Sequence, residues 1–279
     1  GPMLRETQTV QHVALPDPIT AEVIERRLIA RMLPRFNRQG TRSDKYCYVK
    51  LNTDEPWPRL SIVKNPASKG IYLGPLPSRS MARLVVEALQ TAVPLRRCTE
   101  RLGRNFVAPD GVPTCSAAQL GVAHCPCSGT ADAAEYARDV ETARRAMTGD
   151  PGIVVDRLHD KMHLLATKQR FEEAAAVRDR LQALLEAVKR HRLVETLRSA
   201  DRAQITIGGT TWIVEHARLV DVTKDGLATR ALPAEPPDSV PLGTPLGREM
   251  IDEALVLAKF FEKHADSATT TCSGDWDFP

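Results

Sequence analysis

The sequence predicts an α+β protein, helix-rich and assembled from small modules. Apolar residues recur at helical spacing over long stretches, whereas alternating stretches are short. Aromatic residues make up only 5% of 279 positions, against 20 prolines and 16 glycines, which suits modules joined by loops better than one large sandwich. With 42% apolar and 26% charged residues, the chain can give two small domains real cores.

The elements follow in order. Ile19 to Leu33 reads as a helix with Val23, Ile24, Leu28, Ile29, Met32 and Leu33 on one face, and Pro34 stops it. Tyr46–Leu51 and Leu60–Val63 alternate as two short strands around the turn-like Asp54-Glu55-Pro56-Trp57-Pro58. Arg79–Ala92 is a second amphipathic helix, apolar through Leu84, Val85, Ala88 and Leu89, with Ser78 as its N-cap. A loop from about Leu95 to Gly129 precedes a helix over Ala131–Thr148, which the break Gly149-Asp150-Pro151-Gly152 closes. From Ile153 to about Ser199 the pattern is almost unbroken helix, suiting two antiparallel helices joined near Lys168-Gln169-Arg170. Gln204–Ile207, Thr211–Glu215 and Arg218–Thr223 form a meander that turns at Gly208-Gly209. A proline-rich linker, Pro233 to Pro245, leads to a last helix from about Gly247 to Ala265. The expected segments are therefore 1–45, 46–149, 150–200 and 201–279.

Charge and cysteines point to chemistry. The net charge is +3, yet residues 1–130 hold 18 of the 38 Lys+Arg and only 10 of the 35 Asp+Glu, so the first half is basic and the remainder acidic. Phosphate contacts are expected in the first half and protein contacts in the second. The pool of candidate DNA-contacting cations is Arg26, Arg27, Arg31, Arg35, Arg38, Arg42, Lys45, Arg59, Arg79, Arg96, Arg97 and Arg101. Cys98, Cys115, Cys125 and Cys127 crowd into a thirty-residue loop, with sixteen, nine and one residues between them. No secretory signal and no apolar run of about 18 residues is present, so a reducing cytoplasm and no membrane partner are expected, and clustered thiols read as metal ligands rather than disulfides. The spacing does not name the metal, and His124 is a further ligand candidate for zinc. Cys47, in a strand pattern, and Cys272, near the terminus, read as bystanders. The opening Gly1-Pro2-Met3 reads as a cleavage scar on a piece of a longer protein.

Several strings resemble UvrC, the nucleotide-excision-repair endonuclease. Glu25-Arg-Arg-Leu-Ile-Ala and Leu33-Pro-Arg-Phe-Asn37 resemble the last helix of its GIY-YIG nuclease domain. Asp54-Glu-Pro-Trp-Pro-Arg-Leu60 and Gly70-Ile-Tyr-Leu-Gly-Pro-Leu-Pro-Ser78 resemble the segments that follow it. Leu95-Arg-Arg-Cys98 and Cys125-Pro-Cys-Ser-Gly129 resemble the edges of its cysteine region, and Met162 with Phe171-Glu-Glu-Ala-Ala-Ala-Val-Arg-Asp179 resembles the UVR motif, the helical hairpin that meets UvrB. The tail, Trp212 to Leu219 and Ala258-Lys-Phe-Phe261 through Pro279, resembles the C-terminal part of an actinobacterial family that fuses a DEDDh exonuclease, a GIY-YIG domain and a UvrC-like extension.

The resemblance implies a division of roles. Glu25 is the implied metal-binding catalytic carboxylate and Asn37 its support, in a site left incomplete because the preceding GIY-YIG elements are not in the sequence. Gly70-Ile71-Tyr72 is a decoy, because Gly74-Pro75 is expected to break the chain where the partner strand would run. Magnesium or manganese belongs only to the complete nuclease, and no RNase H-like carboxylate motif is found. Cys98, Cys115, Cys125 and Cys127 are the implied ligands of a 4Fe–4S cluster, although a single Pro126 replaces the family's three residues between the last two, so zinc and no metal stay open. Arg35, Arg38, Arg42, Lys45, Arg59, Arg79, Arg96 and Arg97 are the implied DNA contacts. Phe171, Ala174, Ala175 and Leu181 form an apolar stripe, with Glu172, Arg178 and Asp179 beside it, for a UvrB-like protein or a second copy; a contact with the chain's own core is the competing reading. The expected function is a DNA-binding accessory region of a DNA-repair nuclease, inactive alone. The alternative is a metal-stabilised protein-docking module without DNA binding.

Overall fold

Asp17 sets the start of the first long helix. In the computed structural model, which describes residues 1–37, 46–67, 69–103, 105–228, 232 and 246–274, a short exposed turn, α1 (Pro2–Glu6), precedes α2 (Pro18–Met32). The Asp17 carboxylate accepts the Thr20 N–H at 2.8 Å and the Thr20 hydroxyl at 2.6 Å, which satisfies an orphan donor of the first turn. Leu33 ends the helix in the left-handed region, φ 44, just before Pro34. The chain divides into two compact units: residues 44–192 form one, and residues 1–43 with 193–279 form the other.

The 44–192 unit starts with three strands, β1 (Cys47–Leu51), β2 (Leu60–Val63) and β3 (Ile71–Leu76), in the order β2-β1-β3 and antiparallel throughout. Strand β3 overturns the expectation of a break at Gly74-Pro75. It lies at the sheet edge, and the register shifts between Cys47 and Val49, opposite Gly74 and Pro75. A proline at an edge bulge removes no ladder bond that the sheet needs. Gly74 is also required for space, since a Cβ there would stand 2.7 Å from the Tyr48 ring.

Helix α3 (Arg79–Ala92) is capped as its sequence indicates, with the Ser78 hydroxyl accepting the Met81 N–H at 3.1 Å. The cysteine loop follows and carries a short turn of α-helix, α4 (Ser116–Gln119), and a 3-10 turn over Pro126–Ser128. Helix α5 (Ala133–Met147) begins at Asp132, whose carboxylate accepts the Glu135 N–H at 2.6 Å. Then come α6 (Gly152–Thr167) and α7 (Phe171–Ser199), joined at the expected residues. Leu89, Tyr136, Leu158 and Leu184 meet in one core with Val49 and Leu73 of the sheet. The hairpin therefore stands on α3 and the sheet, which supplies the apolar surface that two helices alone lack.

In the other unit, β4 (Ala200–Ile207), β5 (Thr210–Glu215), β6 (Arg218–Lys224), β7 (Leu227–Ala228) and β8 (Thr269–Gly274) form one antiparallel sheet in the order β7-β6-β5-β4-β8. The sequence indicates the central meander but not β8, whose Thr-Thr-Thr-Cys-Ser-Gly has no alternating apolar pattern and is mostly exposed. Helix α8 (Arg248–Lys263) buries Met250, Ile251, Ala254, Leu255, Leu257, Ala258 and Phe261, and Trp212 packs edge-on against Phe260 and Phe261. Helix α2 packs on α8 through a buried ion pair: Arg27 binds Glu253 and donates to the Leu219 carbonyl at 2.6 Å, while Glu253 accepts the Leu219 N–H at 2.7 Å. Removing one partner of such a pair typically costs about 3–5 kcal/mol, because the other charge stays buried. The proline-rich linker, 233–245, lies outside the described residues. No helix among the described residues is long and apolar enough to cross a membrane.

Candidate functional site

The cysteine loop is held at several points by its own sequence. Leu95, Leu102, Ala123 and Pro126 are buried, and the His124 N–H donates to the Pro94 carbonyl at 2.8 Å, joining the two ends of the loop. His124 Nε2 lies 2.8 Å from Asp139 on α5, and its ring meets Tyr136 edge-on. The Tyr136 hydroxyl donates to the Pro58 carbonyl and accepts the Arg96 backbone N–H at 3.2 Å. A single turn of 3-10 helix over Pro126–Ser128 then folds Cys127 back towards Cys125.

This folding gathers the four thiols unevenly. All are free; Cys125 is buried, Cys98 and Cys127 are half-buried, and Cys115 is exposed. Cys125 Sγ and Cys127 Sγ stand 3.3 Å apart. Burial pushes the Cys125 thiol up, but hydrogen bonds from the Cys115 backbone, the Ser128 hydroxyl and the Cys127 and Cys115 thiols outweigh it and bring it down to about 7. Cys127 moves the other way, up to about 11, first by burial, then by its bond to Cys125 and the negative charge of Cys125 and Cys98. Cys98 Sγ accepts from Arg96 Nη1 at 3.2 Å.

Whether these residues fit a metal or cluster is answered differently by chemistry and by position. The donors are of the right kind: four soft sulfurs, several already receiving hydrogen bonds as metal-bound thiolates do. They do not converge on a common centre. Among the described residues, no group of three or more His, Cys, Asp and Glu side chains is arranged to hold a metal ion.

The cations separate into interior and surface groups. Arg96 was assigned to DNA by sequence, but its side chain is 0% exposed and paired with Glu55, so it is an interior residue. Arg27 is likewise inside its unit. Arg79 and Arg97 are exposed on the 44–192 unit; Arg97 donates to the carbonyls of Gln90 and Val122 at 3.2 and 3.1 Å and has no carboxylate partner among the described residues. Arg59 is half-buried, its Nε without a partner among the described residues. Arg35 is exposed and lies 3.2 Å from Glu6. Arg38, Arg42 and Lys45 lie outside the described residues. Glu25 is on the exposed side of α2, and Asn37 is exposed beyond its end.

The hairpin stripe is divided. Ala174 and Leu181 turn into the core and Ala175 is half-buried, whereas Phe171 is 65% exposed, with Glu172, Arg178 and Asp179 also outward. Glu55, Tyr136 and Asp139, which support the cysteine loop, were not singled out by sequence. Nothing in their local pattern signals partners 15 to 78 residues away.

Residues 46–146 match the family model "UvrC/Cho excinuclease, middle domain", and residues 152–187 match the "UvrB/uvrC motif". The 44–192 unit is therefore UvrC-like: a middle domain followed directly by a UVR helical hairpin. Among individual proteins, the chain is 31% identical over 182 residues to UvrABC system protein C of Haloarcula marismortui, covering 65% of this chain and 30% of that protein. It is 34% identical over 182 residues to UvrABC system protein C of Aromatoleum aromaticum, 65% of this chain and 29% of that protein. A provisionally named bifunctional exonuclease/endonuclease protein of Mycobacterium tuberculosis is 29% identical over 274 residues, 92% of this chain and 41% of its own length. The chain thus spans less than a third of those UvrC relatives and less than half of the mycobacterial one. No solved structure matches it.

Proposed function

We propose that the chain is a DNA-binding accessory region of a DNA-repair nuclease, acting in the cytoplasm, with its catalytic centres in other segments of a longer protein. The observation that carries this reading is the uninterrupted succession of middle domain and UVR motif over residues 46–187. The exposed Arg79 and Arg97, with the half-buried Arg59, bind phosphates without regard to base sequence. The outward face of α7, led by Phe171 with Glu172, Arg178 and Asp179, receives a UvrB-like protein or a second copy. The donor chemistry of Cys98, Cys115, Cys125 and Cys127 suits a 4Fe–4S cluster or zinc, although among the described residues they are not arranged to hold a metal ion. Glu25 and Asn37 belong to a GIY-YIG site that uses magnesium or manganese when its missing partners are present.

A protein-docking module without DNA contact is the second reading, favoured by the burial of Arg27 and Arg96, which removes two cations from the basic surface. Binding of the full chain to duplex and bubble DNA across a salt series decides between them. With the three phosphate contacts of Arg59, Arg79 and Arg97, affinity should fall roughly forty-fold from about 50 to about 200 mM salt. Absence of binding at low salt favours the docking module.

A further inference from the structure

The β1–β2–β3 sheet uses its two faces unequally. Val49, Leu51, Leu60 and Leu73 fill the core from one of them. Side chains alternate along a strand, so Tyr48, Lys50, Ser61, Val63 and Tyr72 stand on the other. The register sets Ser61, Lys50 and Tyr72 side by side in one row, each half-buried, whereas Tyr48 in the next row is buried.

Tyr72 is the fixed member of that row. Its hydroxyl accepts the Ala67 N–H at 3.1 Å and donates to the Lys69 carbonyl at 2.9 Å. Its ring meets Tyr48 edge-on, with 6.4 Å between centroids and 89° between planes. The Lys50 ammonium lies 5.7 Å from the Tyr72 centroid, and its stem passes Gly70, where a Cβ would stand 2.6 Å from Lys50 Cε. The absence of a side chain at Gly70 thus makes room for the lysine beside the ring.

The surroundings are cationic. Strands β1, β2 and β3 and the connection 64–70 contain Lys50, Lys64 and Lys69 but no Asp or Glu, in a chain whose 38 Lys+Arg nearly balance 35 Asp+Glu. Neither Lys50 nor Lys69 meets a carboxylate among the described residues. An acidic protein segment would use the ammonium groups alone. A nucleotide uses the ring as well, because its base stacks on an aromatic face while its phosphates meet the cations. The bases of a duplex are already stacked on one another, so only an unpaired one can do this.

We propose that this outer face of the sheet holds an unpaired nucleotide of a single strand, Tyr72 stacking the base and Lys50 and Lys69 meeting the flanking phosphates. The site rests on the reading of the chain as DNA-binding and adds to it a preference for unpaired strands that Arg79 and Arg97 do not supply.

The test measures binding of the full chain at low salt to a fluorescent oligothymidylate and to a duplex. The single strand should bind more tightly. Tyr72→Leu should weaken single-strand binding by about 5–150-fold, the loss expected for one base–aromatic stack, and leave duplex binding unchanged. Tyr72→Phe, which keeps the ring and loses the hydroxyl, should bind like the unmutated chain. Lys50→Met should lower the salt slope of single-strand binding by about 0.7, the value for one phosphate contact. Circular dichroism confirms that the variants are folded. Should Tyr72→Leu not fold, the unmutated chain decides: an oligonucleotide carrying 5-iododeoxyuridine should photo-crosslink to Tyr72, read by mass spectrometry. Undiminished single-strand binding by a folded Tyr72→Leu chain, equal loss in Tyr72→Phe, or crosslinks confined to other residues overturns this site and leaves phosphate binding by Arg79 and Arg97 standing. If the unmutated chain binds neither single strand nor duplex, the DNA-binding reading falls with it.

Discussion

At the scale of single residues, Tyr136 shows how one buried hydroxyl organises the cysteine region. It joins the Pro58 carbonyl to the Arg96 backbone and packs against Trp57 and His124, so it ties the β1–β2 connection to the cysteine loop. Burial is the main reason its phenol is pushed up to about 12, with the charges of Cys98 and Asp139 adding to it and Arg96 opposing. The folded chain thus favours the neutral phenol. The corresponding stability is fully present below pH 10, the ordinary tyrosine value, and is lost as pH rises from there through about 12. A spectrophotometric titration should find one tyrosine ionising about two units late, and Tyr136→Phe should remove that step. Arg96 carries the opposite lesson for sequence reading. The string Leu95-Arg96-Arg97-Cys98 offers two adjacent arginines, yet one is interior and one exposed, because the distant Glu55 carboxylate and Trp57 carbonyl reach the first and not the second.

At the scale of elements, α7 divides its apolar residues between two destinations. Leu184 is fully buried in the core, whereas Phe171, at the first helical position, projects beyond it. Leu184→Ala should cost about 2–5 kcal/mol in denaturant unfolding, as large-to-small core changes do. Phe171→Ala should stay within about 0.5 kcal/mol of the unmutated chain but weaken binding to a UvrB-like partner in a titration. Equal destabilisation by both would show that Phe171 is a core residue and remove it from the partner surface. The helices and the hairpin were legible because their apolar spacing, caps and breaks are local: Asp17, Ser78 and Asp132 each accept an N–H three residues on. Strands β3 and β8 were not, since a proline at an edge bulge and a polar edge strand carry no period-two signal.

At the scale of the whole molecule, the distribution of roles predicts a chain that binds but does not cut. Glu25 is an exposed carboxylate on α2, and under the proposed function the residues that would complete its site lie in other segments. Incubation with duplex or bubble DNA and magnesium or manganese should leave the DNA intact; robust cleavage abolished by Glu25→Ala would refute the assignment of catalysis to other segments. The sequence by itself determined the helix-rich α+β class, the capped helices, the hairpin and the crowding of four thiols, because each is written in neighbouring residues. Only the tertiary structure decided which cations are surface and which are interior, that residues 1–43 share a unit with residues 193–279, and that Arg27 meets Glu253 across 226 positions. Such pairings depend on where distant backbone carbonyls and carboxylates arrive after folding, and a buried charge has no local pattern that distinguishes it from a solvated one.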